Sequence, residues 1–172
     1  MIALSPTPTL HTARLTLRAP HLSDAEALAA FWQSPRSLFI GGASSADGAV
    51  PSIQHSLGAW ALRGYGLWTI TLTATGQPIG RTGVLTHADW PEPELAWHLF
   101  DGFEGQGLAH EAVLAARSHC HGALQMDPLF SFIHPRNHRS KALAIRLGAT
   151  LETDTTLQGD TIHIFRHPGG TA

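Results

Sequence analysis

The feature that most restricts the fold is a glycine-rich turn joining a predicted strand to a predicted helix. The strand covers residues 94–100, glycines follow at positions 102, 105 and 107, and residues 108–121 have the apolar spacing of a helix. Glycine permits positive φ angles and close approach of a ligand, and free amides at a helix N-terminus attract anions. We therefore predict that the amides of this turn can face a diphosphate.

Two familiar nucleotide-binding loops do not fit this turn. Its glycines do not follow the G-x-G-x-x-G pattern of a dinucleotide-binding βαβ unit. The turn also has no Gly-Lys-Ser/Thr, which excludes a nucleotide-hydrolysing P-loop. On the glycines alone, an ordinary turn entering a helix is as good an interpretation as an anion site.

The rest of the chain predicts further strands and helices. Strands are expected over residues 12–18, 67–73, 79–87, 129–134, 150–154 and 161–167, and helices over 25–32, 51–62 and 138–147. Ser23 and Glu26 have the spacing of a capping box before the first of these helices. The order β-α-α-β-β-β-α-β-α-β-β predicts an α/β fold with a mixed sheet and about four helices. We expect one domain over residues 1–172, with a loose lead-in at 1–11.

Composition excludes several classes of protein. Of the 172 residues, 43% are hydrophobic and 14% charged, with 11 basic against 13 acidic side chains. This balance excludes a disordered chain and lacks the basic footprint of a nucleic-acid binder. A single cysteine, Cys120, excludes a disulfide framework, and no apolar run approaches the ~20 residues that span a bilayer. Because we also find no signal-peptide pattern, we expect a cytoplasmic protein without nucleic-acid or membrane partners.

Twelve histidines raise the question of a metal site. The run His119-Cys120-His121 occupies consecutive positions, which spread around a helix instead of facing one ion. Pro135 interrupts the helical spacing of His134 and His138. We therefore predict no metal site.

A second informative stretch predicts a capped helix with a polar first turn. Asn137 can cap the helix, and Ser140, three positions on, lies on the same face. Ala142, Leu143, Ile145 and Leu147 are predicted to mark its buried side, and Gly148 supplies a left-handed stop. Taken alone, the stretch indicates an N-cap and a surface hydroxyl.

Together the two stretches resemble the GCN5-related N-acetyltransferases (GNAT). The shared motifs are Glu-x-x-Trp from position 94, Gly-x-Gly-x-Ala-x-Glu-Ala from 105, and Asn-x-x-Ser-x-x-x-Ala-x-x-Leu-Gly-Ala from 137. The resemblance covers about residues 12–167 and is strongest to the branch of ribosomal-protein N-terminal acetyltransferases. One position departs from the family: the loop commonly begins with Arg or Gln, and here it begins with Glu104. Because a carboxylate cannot donate to phosphate, we expect Glu104 to turn outward and the backbone amides to bind.

The resemblance implies a GNAT-like acyl-CoA N-acyltransferase fold that binds acetyl-CoA as acetyl donor, without a metal. Its mostly antiparallel sheet would contain two parallel strands, here 94–100 and 129–134, that splay apart around the cofactor. Backbone N–H groups of the first strand would bind the pantetheine arm and polarise the thioester carbonyl. The implied cofactor contacts are Trp97, His98, Leu99, Gly105, Gln106, Gly107, Leu108, Ala109, Asn137 and Ser140.

The resemblance also implies direct transfer of the acetyl group to a primary amine. The attacking amine must be neutral, so a carboxylate that accepts its proton is useful, and Glu94 is the leading candidate by family position. His98 shares the strand face of Glu94 and is the reserve candidate. Many family members use a tyrosine of the last helix as acid, but the one tyrosine here lies far back in the chain. Ser140 is the substitute, either as acid or as a hydrogen-bonding partner of the cofactor.

The resemblance also implies an amine acceptor bound beside the proposed base. Trp90 is the expected wall of the acceptor site beside Glu94, and the acceptor is a protein N-terminus or a small amine. The protein is expected to be a monomer or a homodimer. A non-catalytic acyl-CoA-binding or sensing domain of the same fold is the alternative, and Glu104 and the missing tyrosine favour it.

Overall fold

Within the described residues, eight strands form one mixed sheet in which a single neighbouring pair is parallel. The computed structural model describes residues 5–40, 45–86, 90, 92–126, 128–157 and 159–170. Its strands are β1 (Leu10–His11), β2 (Leu15–Arg18), β3 (Leu67–Leu72), β4 (Pro78–Leu85), β5 (Glu94–Leu99), β6 (Phe130–Ile133), β7 (Thr150–Leu157) and β8 (Asp160–Arg166). Their order across the sheet is β1-β2-β3-β4-β5-β6-β8-β7, and only β5 and β6 run parallel.

Four α-helices within the described residues cover the sheet. They are α1 (Ala25–Gln33), α2 (Ala49–Arg63), α3 (Leu108–Gly122) and α4 (His138–Arg146). Short 3-10 turns occupy Leu22–Asp24, Pro35–Phe39 and Ala46–Gly48. The predicted fold class, a mostly antiparallel mixed sheet with one parallel pair, is confirmed. None of the helices in the described ranges is both long and apolar enough to cross a bilayer.

The core lies on both faces of the sheet. One cluster joins buried residues of β2–β5 to the apolar face of α3 and includes the T-shaped pair Trp60 and Trp68, with ring centroids 4.5 Å apart. A second cluster packs Leu28 and Phe31 of α1 against Ile53 of α2. Burying such apolar side chains is the main force that holds helices to a sheet. The N-terminal end of α3 is thereby held beside the end of β5, where the site lies.

The predicted lead-in is wrong for its second half. Leu10 and His11 form β1, which pairs with Leu17 and Thr16 of β2. The indole N–H of Trp68 also donates to the carbonyl of Pro8 at 2.8 Å. Leu10 and His11 therefore belong to the sheet and Pro8 is fixed beside it, because tertiary partners satisfy backbone groups that the local sequence leaves open.

The predicted capping box is also wrong. Residues 22–24 form a 3-10 turn, and the carboxylate that accepts a backbone N–H, that of His21 at 2.9 Å, belongs to Asp24. Asp24 is buried, where it also pairs with Arg18 at 2.7 Å and accepts from the hydroxyl of Thr69 at 2.8 Å. Arg18, six residues earlier, and Thr69 of the adjacent strand β3 thus select this carboxylate over Glu26.

The buried face of α4 differs from its prediction. Leu143 and Leu147 are buried as expected, but Ala142 is exposed and Ile145 is 61% exposed. Ala144 takes the place assigned to Ile145, because residues 143, 144 and 147 share one stripe of the helix against β6 and α3. In the last hairpin, β7 continues three residues beyond its predicted end because it pairs with β8 as far as Leu157. Gln158, predicted in the turn, lies outside the described residues.

Candidate active site

β5 and β6 separate directly after their first registered pair, Glu94 and Phe130. At that point two backbone groups that would continue the ladder have side-chain partners instead. The N–H of Phe132 donates to Oε1 of Glu94 at 2.9 Å, and the hydroxyl of Ser131 donates to the carbonyl of Leu95 at 2.5 Å. Because buried backbone groups need partners, Glu94 and Ser131 allow the two strands to diverge.

The hydroxyl of Ser131 belongs to a longer buried chain. Its single proton goes to Leu95, so Nε2 of His167, 2.9 Å away, must donate to it. Nδ1 of His167 then accepts from the guanidinium of Arg117 at 3.4 Å, and Arg117 also donates to the carbonyl of Leu147. Burial lowers the pKa of His167 to about 4, with the charge of Arg117 acting in the same direction. No local sequence pattern predicts this series of hydrogen bonds.

The strand gap opens into a cleft of about 880 Å³. Its walls come from residues between positions 31 and 40, from Trp97, His98 and Leu99, from the glycine-rich turn, and from the first turns of α4. Backbone groups alternate in direction along a strand, so those of Trp97 and Leu99 point to the same side as the Leu95 carbonyl, toward the gap. The carbonyl of His98 points the other way, toward Gly80 of β4.

The glycine-rich turn enters α3 in the left-handed conformation. Gly105 and Gly107 have φ angles of 72° and 75°, and Gly107 is the N-cap. Both glycines line the cleft together with Leu108 and Ala109, and the first amides of a helix have no partner within it. The turn can therefore bind an anion.

Gln106 has a different place from its neighbours. It is not among the described residues that line the cleft, and its side-chain amide donates to the carbonyl of Gly102 at 3.2 Å. Its own carbonyl accepts from Arg14 at 3.0 Å, and Arg14 is paired with Glu111 of α3 at 2.7 Å. These contacts hold the shape of the turn from outside the cleft.

Asn137 and Ser140 face the cleft from α4. Asn137 is the N-cap, and its Oδ1 accepts from the backbone N–H of Ser140 at 3.2 Å. Both residues line the cleft. The amide nitrogen of Asn137 and the hydroxyl of Ser140 are groups that can bind a ligand there.

Glu94 lies beside the gap and not on the described lining of the cleft. Its side chain is almost entirely buried, and burial raises its pKa to about 8, although the hydrogen bond from Phe132 acts in the opposite direction. Trp90 packs edge-on against the ring of Phe132 with centroids 5.0 Å apart. Trp90 and Glu94 therefore both contact Phe132 of β6, and neither is among the described residues that line the cleft.

His98 is one of the residues that line the cleft. Its ring stacks on Phe31 with centroids 4.5 Å apart, and its Nε2 atom is buried with no hydrogen-bond partner among the described residues. Burial lowers the pKa of His98 to about 3, and the charges of Arg81 and Arg36 act in the same direction. His98 is therefore neutral near pH 7.

Glu104 does not turn outward as expected. It lines the cleft, where its carboxylate is paired with Arg36 of the 35–39 turn and lies 3.7 Å from Arg139 of α4. The reason is electrostatic, because two guanidinium groups offset the negative charge. Arg36 was not predicted as a site residue, since nothing in the local sequence places residues 35–39 against the glycine-rich turn. Among the described residues, no three His, Cys, Asp or Glu side chains form a group that could hold a metal ion.

Comparison with known proteins agrees with this geometry. The profile of the Acetyltransferase (GNAT) domain matches residues 14–150. The chain belongs to the GNAT acetyltransferase family. A crystal structure of an acetyltransferase from Agrobacterium tumefaciens is similar to this GNAT protein, with 36% sequence identity, a TM-score of 0.86 and 94% of each chain covered.

Two more distant structures share the GNAT fold. A ribosomal L7/L12 α-N-protein acetyltransferase in complex with coenzyme A has 18% identity and a TM-score of 0.76, covering 94% of this chain and 98% of the other. The microcin C7 self-immunity acetyltransferase MccE, in complex with acetyl-CoA and AMP, has 19% identity and a TM-score of 0.74, covering 96% and 99%. The resemblance to GNAT proteins drawn from the sequence motifs is confirmed.

Proposed function

We propose that this GNAT protein transfers an acetyl group from acetyl-CoA directly to a primary amine, on a protein N-terminus or a small molecule. The observation that carries the proposal is the gap between β5 and β6, which opens into a cleft ending at the N-terminus of α3. Such a cleft suits a long ligand with a diphosphate at one end. The complexes of two fold relatives with coenzyme A and acetyl-CoA support the choice of cofactor.

In this proposal the cofactor lies along the cleft with its thioester at the strand gap. The diphosphate binds the amides between Gly105 and Ala109, as anions do at helix N-termini. The backbone groups of Trp97 and Leu99 face the gap and bind the pantetheine arm. An N–H directed at the thioester carbonyl would stabilise the negative charge that develops there, at about 3–4 kcal/mol for one well-placed donor.

At the acyl carbon one bond forms and one breaks, and the amine nitrogen also loses a proton. The lone pair of a neutral amine nitrogen forms a bond to the carbonyl carbon, the C–S bond breaks, and the thiolate of coenzyme A leaves. Glu94 accepts the amine proton, directly or through water, and Ser140 hydrogen-bonds the leaving sulfur or the cofactor. We assign the base to Glu94 because a pKa of about 8 suits proton transfer near neutral pH, whereas a pKa of about 3 makes His98 a weak base.

The acceptor side of the cleft is mainly apolar. Phe31, Phe39 and Ile40 line it next to His98, and Phe39 stacks on His134 with centroids 5.0 Å apart. Trp90 packs on Phe132 outside this lining, and its role as a wall of the acceptor site beside Glu94 stays a prediction. An acceptor with an apolar group next to its amine fits these walls, because apolar side chains favour apolar partners.

A thiol-release assay tests the proposal. The protein is incubated with acetyl-CoA and a panel of amines that includes peptides with free N-termini, polyamines, amino acids and aminoglycosides, and free coenzyme A is measured. We expect release that depends on one class of amine and falls about 100-fold or more in Glu94→Gln. Glu26→Gln, on the exposed face of α1, is the matched control and should behave as wild type.

A binding or sensing role without catalysis is the second candidate. The observation that favours it is the position of Glu94, which is buried and serves as partner of the Phe132 amide. This role predicts binding of acetyl-CoA, measured by calorimetry, without release of thiol for any amine. Failure of both acetyl-CoA and coenzyme A to bind would exclude both candidates.

A further inference from the structure

The carboxylate of Glu104 is held by the kinds of donor that bind phosphate. Its Oε2 accepts from the backbone N–H of Gly102 at 2.9 Å, and its Oε1 is paired with Arg36 and lies 3.7 Å from Arg139. Carboxylates and phosphates share this chemistry, since both bind guanidinium groups and backbone amides. An anion therefore already sits between two arginines at the start of the glycine-rich turn.

Charge around the cleft makes this position unusual. Four arginines line it, at positions 36, 136, 139 and 146, whereas Glu104 is the single carboxylate among the described lining residues. A cleft of this composition attracts anions. Its one negative charge lies where the turn amides and two of these arginines converge.

We propose that Glu104 is an internal competitor of the cofactor diphosphate, and that Arg36 binds the diphosphate once Glu104 is displaced. This inference rests on the proposed binding of an acyl-CoA by the same turn. Arg36 becomes a cofactor-binding residue contributed by the segment after α1, remote in sequence from the glycine-rich turn. Glu104 lowers cofactor affinity because its release from Arg36 must precede or accompany binding.

Arg36 stays oriented when Glu104 leaves. Its Nη1 contacts Oδ1 of Asp101 at 3.1 Å and the carbonyl of Phe100 at 3.5 Å, so the guanidinium keeps two partners beside the turn. Asp101 is largely exposed, which weakens its pairing relative to that of a buried carboxylate. Arg139 is 77% exposed and can follow either anion.

Isothermal titration with coenzyme A tests the inference in three variants. We expect Glu104→Gln to bind several-fold more tightly than wild type, because its neutral amide competes weakly for Arg36. We expect Arg36→Met to bind about 10-fold more weakly, the loss typical of one charge-assisted hydrogen bond. Arg63→Met, at the exposed end of α2, removes the same charge away from the cleft and should match wild type.

A phosphate-free ligand separates this effect from a change of fold. Titration with pantetheine should give the same affinity for all four proteins, because it lacks the diphosphate. Weaker coenzyme A binding by Glu104→Gln, or unchanged binding by Arg36→Met, would overturn the inference while leaving the proposed function intact. If wild type binds no coenzyme A, the proposed function itself fails.

Discussion

Oε1 of Glu94 accepts a 2.9 Å hydrogen bond from the backbone N–H of Phe132, at the position where β5 and β6 stop pairing. The side chain proposed as catalytic base thus also terminates the parallel ladder. Burial raises the pKa of Glu94. It also makes the carboxylate the acceptor that the buried N–H of Phe132 needs. The two roles can be measured separately. The role as base depends on the protonation of Glu94, and the role in the strand depends only on an oxygen that accepts from Phe132.

The first prediction concerns the pH dependence of acetyl transfer. Because the pKa of Glu94 is about 8, the carboxylate form that accepts a proton increases between pH 7 and 9. We expect kcat/KM to rise from pH 7, most steeply below the pKa of about 8, and to reach a plateau near pH 9. In Glu94→Gln the rate should be about 100-fold lower, and the part of the pH dependence that comes from the ionisation of Glu94 should disappear. A variant with wild-type rate and slope would remove Glu94 from the mechanism.

The second prediction concerns stability and needs no substrate. The pKa of Glu94 is raised from 4.5 to about 8 on folding, so between these values the folded protein holds a proton that the unfolded chain releases. The stability contributed by protonated Glu94 is fully present below pH 4.5 and is lost as the pH rises through 8. Between these values the free energy of unfolding falls by up to about 1.4 kcal/mol per pH unit. Urea unfolding of Glu94→Gln from pH 5 to 8 should lack this slope. Parallel curves for variant and wild type would contradict it.

The third prediction concerns the other partner at the strand divergence. Ser131→Ala removes the donor to the Leu95 carbonyl and the acceptor of the His167 Nε2 proton, which leaves two buried groups unsatisfied. We expect the free energy of unfolding to fall by about 1–3 kcal/mol. Ser118→Ala, at an exposed position of α3, should change it by less than about 0.5 kcal/mol. Equal effects in a denaturant titration would mean that the Ser131 hydroxyl has no such role.

The fourth prediction compares two glycines. Gly107 has a φ of 75° at the N-cap of α3, a conformation that costs alanine about 1–2 kcal/mol, so Gly107→Ala should destabilise the protein and weaken coenzyme A binding. Gly58 lies inside α2, and a Cβ added there would meet no described atom within 4 Å apart from its chain neighbours and the backbone of its own helix. Gly58→Ala should therefore stabilise the protein by about 0.5–1 kcal/mol and leave binding unchanged. The reverse order of melting temperatures would show that the turn does not need its left-handed glycine.

Local sequence was sufficient to predict the strand, turn and helix ends that position the site. The strand at Glu94, the glycine-rich turn, the start of α3 at Leu108 and the cap at Asn137 all lie where the sequence predicts them. Each depends on a preference that acts within a few residues, such as a positive φ at glycine or an amide oxygen that accepts from the next turn. The motifs were also sufficient to identify the family.

Boundaries and caps that depend on distant partners were not predictable in this way. Asp24 replaces Glu26 at the start of α1 because Thr69, 45 residues away in sequence, donates to it, and because Arg18, which pairs with Thr69 on the adjacent strand, binds it as well. Ile145 is exposed, although its spacing resembles that of buried neighbours, because β6 and α3 meet a different stripe of α4. Propensity carries no information about which stripe a neighbour will cover.

The sequence by itself determined the family, the order of the elements and the glycine-rich turn, because these follow from short-range conformational preferences and from motif spacing. Tertiary structure alone decided the ionisation of Glu94 and His98 and the pairing of Glu104 with Arg36. A pKa depends on burial and on neighbouring charges, and both are set only when segments distant in the chain pack together.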